Sequence, residues 1–294
     1  MLRKLVAALI FSASFAHATE VETYVGPVDV APNPAKIAVF DVSAVDTLSA
    51  LGVSLSGVVE NVYVDYLDEA VKGVAPVGNI FEPDFEAVNA LQPDLIIVGG
   101  RSSTQAQALV NLAPTIDMTI WEDTVGQGLS RLDAYGKIFN KEAEADALRA
   151  AFEEKLALVK TTLENKGSGL IVLTNGPKIS AYGAGGRFGW IHKDLALPEA
   201  VKEVEQATHG EAISFEFIKD ANPDILIVID RLAAIGQPGQ GAAETLDNAL
   251  VKETKAWTQG NVVYLNAKDI YISGGGIQSM SRTLDLFLDV LASK

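Results

Sequence analysis

Short runs of β-branched and aliphatic residues alternate along this chain with longer stretches in which apolar residues recur every three or four positions. The first pattern marks strands buried on both faces and the second marks amphipathic helices, so their alternation predicts α/β units built on mainly parallel sheets. Candidate strands fall at 36–40, 58–62, 94–98, 116–120, 169–174, 179–182, 224–229 and 261–265. After the first, Asp41-Val42-Ser43 offers a helix N-cap, Val45, Leu48 and Leu51 follow at helical spacing, and Gly52 supplies a stop.

One segment stands apart. Residues 141–166 contain no Gly or Pro and are rich in Ala, Leu, Glu and Lys, with Leu148, Ala151, Phe152, Lys155, Leu156 and Val159 at 3.6-residue spacing and Gly167 at the end. This predicts a long helix, preceded by another over 127–140. It lies at mid-chain and lacks the composition of a flexible linker, so it reads as a rigid connector between two lobes. The expected organisation is a leader at 1–18, an N-terminal lobe at 19–140, the connecting helix at 141–166 and a C-terminal lobe at 167–294.

The two halves share a local pattern. Leu91-Gln92-Pro93-Asp94-Leu95-Ile96-Ile97-Val98-Gly99-Gly100-Arg101 matches Ala221-Asn222-Pro223-Asp224-Ile225-Leu226-Ile227-Val228-Ile229-Asp230-Arg231. An acidic residue precedes each copy, and Glu86 and Glu216, Asp94 and Asp224, and Arg101 and Arg231 are all 130 positions apart. Each lobe thus carries a short helix, a Pro-Asp turn, a buried strand, and an Arg just past the strand's carboxyl end.

Composition narrows the possible partners. The 294 residues are 48% hydrophobic and 21% charged, enough apolar material for a sizeable core. Asp and Glu number 38 against 23 Lys and Arg, a net charge of −15, which argues against nucleic acid as a partner. The absence of Cys removes disulfide scaffolds, zinc fingers, iron–sulfur clusters and thiol nucleophiles, and three His are too few for an all-His metal cage. Arg3 and Lys4, the apolar stretch 5–16 and Ala16-His17-Ala18 read as a cleavable export signal. A lipid-anchored product would need a Cys at the cleavage point, so the expectation is a free protein in a periplasm.

Ligands of parallel sheets bind beyond the carboxyl ends of the strands. Arg101 and Arg231 are placed there, one from each lobe. Arg187 joins them from the glycine-rich loop Tyr182-Gly183-Ala184-Gly185-Gly186-Arg187-Phe188-Gly189. This loop lacks the Lys-Ser/Thr ending of a P-loop and the spacing of a dinucleotide fingerprint, and reads as a loop that lets a ligand come close. Three arginines aimed at an interlobe cleft of an acidic protein point to an anionic ligand, since guanidinium stays charged and offers planar, multidentate donors. Each Arg taken alone fits an ordinary surface or salt-bridged role better; the repeat symmetry of Arg101 and Arg231 is what favours a site. His209, in a loop, and Tyr271, before Ser273-Gly274-Gly275-Gly276, taken alone fit a surface His and a packing Tyr better; together they could supply one imidazole nitrogen and one phenolate oxygen, and phenolate is a hard donor suited to ferric iron. His192 reads as helix surface. No GxSxG elbow, HExxH or singled-out carboxylate pair is present.

Gly100-Arg101, Gly186-Arg187-Phe188-Gly189, Thr208-His209-Gly210, Val228-Ile229-Asp230-Arg231, Asp247-Asn248-Ala249-Leu250 and Tyr271-Ile272-Ser273-Gly274-Gly275-Gly276 together resemble the class III periplasmic substrate-binding proteins of ABC importers, in the ferric-siderophore, catecholate-type branch. The resemblance covers essentially the whole chain after the leader. It implies two Rossmann-like lobes joined by one long helix and a cleft in which Arg101, Arg187 and Arg231 neutralise an anionic ferric complex. It implies further that His209 and Tyr271 complete the iron shell when a tetradentate siderophore leaves positions open, and that Glu86 and Glu216 dock on the inner-membrane permease. Iron enters as a siderophore complex with no tightly bound cofactor, and the protein is expected to act as a monomer. Haem, a corrinoid or a hydroxamate siderophore on the same fold is the alternative. A bare zinc or manganese carrier would need more clustered ligands, and an enzyme would show turnover of its ligand.

Overall fold

The computed structural model describes residues 18–204 and 209–291. The expected leader, apart from Ala18, and Thr208 of the Thr-His-Gly motif lie outside the described residues. Strands run in chain order as β1 (Thr19–Thr23), β2 (Gly26–Val30), β3 (Ile37–Val39), β4 (Gly57–Val58), β5 (Ala75–Pro76), β6 (Leu95–Val98), β7 (Thr115–Asp117), β8 (Gly169–Asn175), β9 (Lys178–Tyr182), β10 (Glu211–Ile213), β11 (Ile225–Asp230) and β12 (Val262–Tyr264).

The N-terminal sheet has the order β5-β4-β3-β6-β7 and is parallel throughout. The C-terminal sheet has the order β10-β9-β8-β11-β12 and is mixed. There β8, β11 and β12 are parallel, whereas β9 pairs antiparallel with both β8 and β10. The reason is local. Asn175 pairs with Lys178, so only Gly176 and Pro177 join β8 to β9, and so short a loop can only fold the chain back on itself. The central strands are buried on both faces, as the uninterrupted apolar runs of Leu95–Val98 and Ile225–Ile229 require.

The Pro-Asp repeat has a structural job in each lobe. The Asp94 carboxylate accepts hydrogen bonds from the Ala35 and Lys36 N–H groups at 2.9 and 2.8 Å, immediately before β3. Asp224 accepts from Ser168 N–H at 2.9 Å, immediately before β8. Each aspartate therefore sets the start of the strand beside its own. The helices that precede the repeat are also alike: Phe85–Leu91 and Phe215–Ala221 are capped by the side chains of Asp84 and Ser214, and end at Gln92 and Asn222 in the left-handed region.

Several elements differ from the sequence reading. The run 58–62 pairs only at Gly57–Val58, because the Glu60 N–H turns away to the Gly78 carbonyl, although Val59 and Val62 stay buried. The β1–β2 hairpin, β5 and β10 were not expected.

The mid-chain helix spans Glu142–Leu163 and follows the helix Thr124–Ile138. Phe152, Val159 and Leu163 form its buried stripe. The last helix, Ile277–Leu291, follows the C-terminal lobe in sequence but packs on the connecting helix and on Val42–Ala50 of the N-terminal lobe. A side chain at Gly276 would occupy the place of the Asp46 carboxylate, and one at Gly275 would run into Ile120, so the chain crosses here without side chains. Asp46 is fully buried, and its carboxylate accepts the N–H groups of Gln278 and Ser279 at 2.8 and 2.9 Å and the hydroxyl of Tyr66. An N-lobe carboxylate thus caps a helix that the C-terminal lobe delivers.

Candidate ligand-binding site

The carboxyl ends of the strands meet across a cleft. From the N-terminal lobe, β3 leads to Asp41 and Ser43, β6 to Gly100 and Arg101, β7 to Ile120 and Trp121, and the segment after β5 brings Phe81. From the other lobe come Arg187, Phe188, Trp190, His209 and Tyr271. These residues line a cavity of about 380 Å³. A second hollow of about 290 Å³ shares Arg187, His209 and Tyr271 and adds Asn175, Tyr182 and Arg231. All five residues expected to hold ligand or iron therefore line one or both of these two hollows, which share Arg187, His209 and Tyr271.

Tyr271 is where the arginines converge. It ends the helix Ala267–Tyr271, whose N-cap is Asn266. Its carbonyl oxygen accepts Nη2 of Arg101 at 2.9 Å and Nη2 of Arg187 at 2.7 Å, and its hydroxyl accepts Nε of Arg231 at 3.3 Å. The Arg187 guanidinium also stacks over the Tyr271 ring, 4.1 Å from its centroid, and Arg101 lies 5.5 Å from it. Arg231 donates in addition to Asn175 Oδ1 at 3.3 Å. Among the described residues, none of the three arginines has a carboxylate within ion-pair distance. Their hydrogen bonds go only to neutral oxygens, and the opposing charge in the same cavity is Asp41, whose carboxyl feels the charge of Arg101 without an ion-pair contact.

The electrostatics follow from that arrangement. Burial, and next the charge of Arg101, push the Arg187 guanidinium below its usual value. Burial alone would raise the Tyr271 phenol. The hydrogen bond from Arg231 and the charges of Arg187 and Arg231 outweigh it and leave the phenol below the ordinary tyrosine value. Tyr182, in the same hollow, moves the other way because burial dominates there.

The glycine-rich loop holds Arg187 in place. The Gly186 N–H bonds to the Gly183 carbonyl at 3.0 Å and the Gly189 N–H to the Gly186 carbonyl at 2.9 Å, two successive tight turns. Glu199 accepts the Ala184 N–H at 2.7 Å. A Cβ at Gly189 would overlap the Ala184 carbonyl oxygen, which is why this turn needs glycine. The Phe188 ring is buried edge-on against Tyr182, with centroids 4.8 Å apart, so the arginine stands on a packed base.

His209 is exposed and lines both hollows. His192 is not helix surface: it is 6% exposed, its Nδ1 lies 2.9 Å from the Leu197 carbonyl, and burial lowers its pKa. The helix that carries it, Trp190–Lys193, is only four residues long and is packed inward by Trp190 and Ile191. Among the described residues no group of three or more His, Cys, Asp or Glu could hold a metal ion. Glu86 and Glu216 lie away from the cleft, both exposed and both second in their short helices.

Asp41, Ser43, Phe81 and Trp121 also line the cleft and were missed in the sequence. The strand-end rule that found Arg101 would have flagged Asp41 and Trp121, each of which directly follows a recognised strand. Phe81 had no such signal, because β5 is two residues long.

Comparison with known proteins places this geometry. Residues 37–268 match the model of a family described as periplasmic binding protein. The petrobactin-binding protein YclQ of Bacillus subtilis is 37% identical over 261 residues, covering 87% of this chain and 82% of the relative. Its crystal structure aligns with a TM-score of 0.87 at 35% identity, covering 94% of this chain and 99% of that one. The ferric-anguibactin-binding protein FatB of Vibrio anguillarum is 31% identical over 273 residues, covering 90% of this chain and 85% of the relative. The periplasmic catecholate-siderophore binding protein VctP of Vibrio cholerae aligns with a TM-score of 0.86 at 26% identity, covering 92% of this chain and 99% of that one. The two-lobed α/β architecture, the strand-end cleft and this match over most of the chain make the protein a member of the periplasmic binding protein family.

Proposed function

We propose that this protein captures a ferric siderophore of catecholate type in the interlobe cleft and delivers it to an inner-membrane ABC importer. The observation that carries the reading is the convergence of Arg101, Arg187 and Arg231, unpaired, on Tyr271. A ferric catecholate complex carries excess negative charge, and burying that charge unmatched is very costly. Three guanidinium groups in a partly dry cleft offset the cost and favour anionic over neutral complexes. YclQ, FatB and VctP are named for binding petrobactin, ferric anguibactin and a catecholate siderophore, which supports a ferric siderophore as the cargo. Tyr271, its phenol already biased toward ionisation, and His209 supply an oxygen and a nitrogen to a ferric ion that its chelator leaves incompletely wrapped. The protein works as a monomer in a periplasm, exported by its leader, and performs no chemistry on the cargo. Glu86 and Glu216, one per lobe in matching helices, meet basic pockets of the permease.

The test is titration of a ferric catecholate into the unaltered protein and into Arg101→Gln, Arg187→Gln and Arg231→Gln. Each substitution should weaken binding by about tenfold or more; unchanged affinity in all three refutes the reading. For a tetradentate complex, Tyr271→Phe should also alter the visible charge-transfer band while leaving a hexadentate complex unchanged.

A further inference from the structure

Arg101 reaches the cleft because the chain leaves the sheet just ahead of it. β6 and β7 are parallel neighbours whose bonds follow a regular register: the Ile96 N–H goes to the Pro114 carbonyl and the Met118 N–H to the Val98 carbonyl, both at 2.8 Å. The next step of that ladder would take the Gly100 N–H to the Met118 carbonyl. It goes instead to Oγ1 of Thr119 at 2.8 Å, and the Met118 carbonyl accepts Nε of Arg131 at 3.4 Å. Gly100 turns into the left-handed region, with φ at +51°, and Arg101 follows.

Thr119 is itself fixed. It is 6% exposed, and its N–H and its hydroxyl both donate to Asp117 Oδ1, at 3.0 and 2.6 Å, which commits the hydroxyl proton and leaves a lone pair to accept from Gly100. Its carbonyl accepts Nη2 of Arg131 at 3.1 Å, and Nη1 of the same guanidinium donates to the Glu22 carbonyl of β1 at 3.2 Å. Arg131 is buried on the helix Thr124–Ile138. By spending its donors on three carbonyl oxygens, this cation stops the ladder and ties the segment after β7 to the N-terminal hairpin.

The other lobe shows what Thr119 replaces. Asp230 stands 130 positions after Gly100, immediately before Arg231, and the Leu265 N–H meets the Val228 carbonyl at 2.9 Å as Met118 meets Val98. Asp230 brings its own anchor: its carboxylate accepts the N–H groups of Ala233 and Ala242 at 3.1 and 2.8 Å. Gly100 has no side chain, so its anchor comes from the end of the neighbouring strand.

We propose that Thr119, backed by Arg131, is a positioning residue for Arg101: its hydroxyl fixes the peptide that aims this guanidinium at the Tyr271 carbonyl and at the anionic cargo. For the cargo this rests on the siderophore reading above and deepens it. The arginine is held in its binding direction before a ligand arrives, so its ordering cost is not charged against affinity.

The experiment compares Thr119→Val, which keeps the shape and removes the hydroxyl, with Thr119→Ser, which keeps the hydroxyl. In the ligand-free protein, the guanidinium NMR signal of Arg101, identified by its loss in Arg101→Gln, should show the slow rotation of a group held on the Tyr271 carbonyl. Thr119→Val should free that rotation and Thr119→Ser should not. In titration with the ferric complex of a synthetic tricatecholate, Thr119→Val should bind about fivefold more weakly and Thr119→Ser within about twofold of the unaltered protein. Arg101→Gln with Thr119→Val should bind no more weakly than Arg101→Gln alone, because the hydroxyl acts through that guanidinium. If the unaltered protein does not bind the complex, the siderophore reading falls, and the NMR signal still decides the positioning. Unchanged rotation in Thr119→Val overturns it. Where the complex binds, so does unchanged affinity in Thr119→Val, a serine variant that fails to restore binding, or a double variant whose losses add.

Discussion

Arg231 Nε stands 3.3 Å from the hydroxyl of Tyr271, across 40 positions of sequence. The contact joins the carboxyl end of β11 to the last residue of the helix Ala267–Tyr271, and it gives the phenol its main support for ionisation.

Tyr271 should therefore lose its proton below the ordinary tyrosine value. An ultraviolet difference titration of the protein against Tyr271→Phe isolates this group. Arg231→Gln should move the transition upward, since the phenolate loses both a hydrogen bond and a positive charge. A transition unmoved by Arg231→Gln would show that the contact carries no electrostatic weight.

Burial of the Arg187 charge is a cost to the protein. The guanidinium is crowded by Arg101 and compensated only by neutral oxygen and a ring. Arg187→Met should raise the stability of the ligand-free protein by on the order of 1 kcal/mol while sharply weakening binding of an anionic complex. Thermal melts with and without ligand check both halves.

Asp46 makes stability depend on pH. Burial raises its carboxyl from 3.8 to about 7, against the lowering effect of the Tyr66, Gln278 and Ser279 hydrogen bonds. Between those values the folded protein keeps a proton that the unfolded chain has released, so stability falls as pH rises and levels off above the upper one. Asp269, buried nearby and paired with Arg282 at 2.8 Å, adds to the same trend. Relative to Asp46→Asn, the unaltered protein should lose about 1.4 kcal/mol per pH unit across this window. Parallel denaturation curves for the two proteins would remove Asp46 as the cause.

Gly189→Ala forces a methyl group onto the Ala184 carbonyl in the turn that presents Arg187. The expected loss is about 2 kcal/mol of stability together with weaker ligand binding, since the arginine is displaced. Melting and titration on the same preparation measure both.

Glu86→Arg and Glu216→Arg should leave ligand affinity within about twofold, because surface charges remote from the cleft contribute little to it. They should abolish stimulation of the importer's ATPase in reconstituted vesicles. Retained stimulation in the double variant would place the permease contact elsewhere.

Much of this was legible in the residues, for reasons that differ by element. The central strands announced themselves because burial on both faces demands unbroken aliphatic runs, as in Leu95–Val98 and Ile225–Ile229. Arg101 and Arg231 were legible through chain order together with the 130-residue repeat, since a parallel strand delivers whatever follows it to one edge of the sheet. The hairpin at Gly176-Pro177 was readable in principle, but two apolar strands look alike whichever way they pair. β5 and β10 are too short to show a period. His192 was misread because the burial of a four-residue helix depends on what packs over it. Asp46 carries no signal of its own: its partners Tyr66, Gln278 and Ser279 lie 20 to 233 positions away.

The passage at Gly274–Gly276 has a mechanical consequence. The lobes are tied by a stiff strut of 22 residues and, independently, by the grip of Asp46 on the start of the final helix. Swinging the jaws wide would break that grip inside the core. Two independent ties of this kind set the width of the cleft in advance, so its mouth should open and close by small angles only.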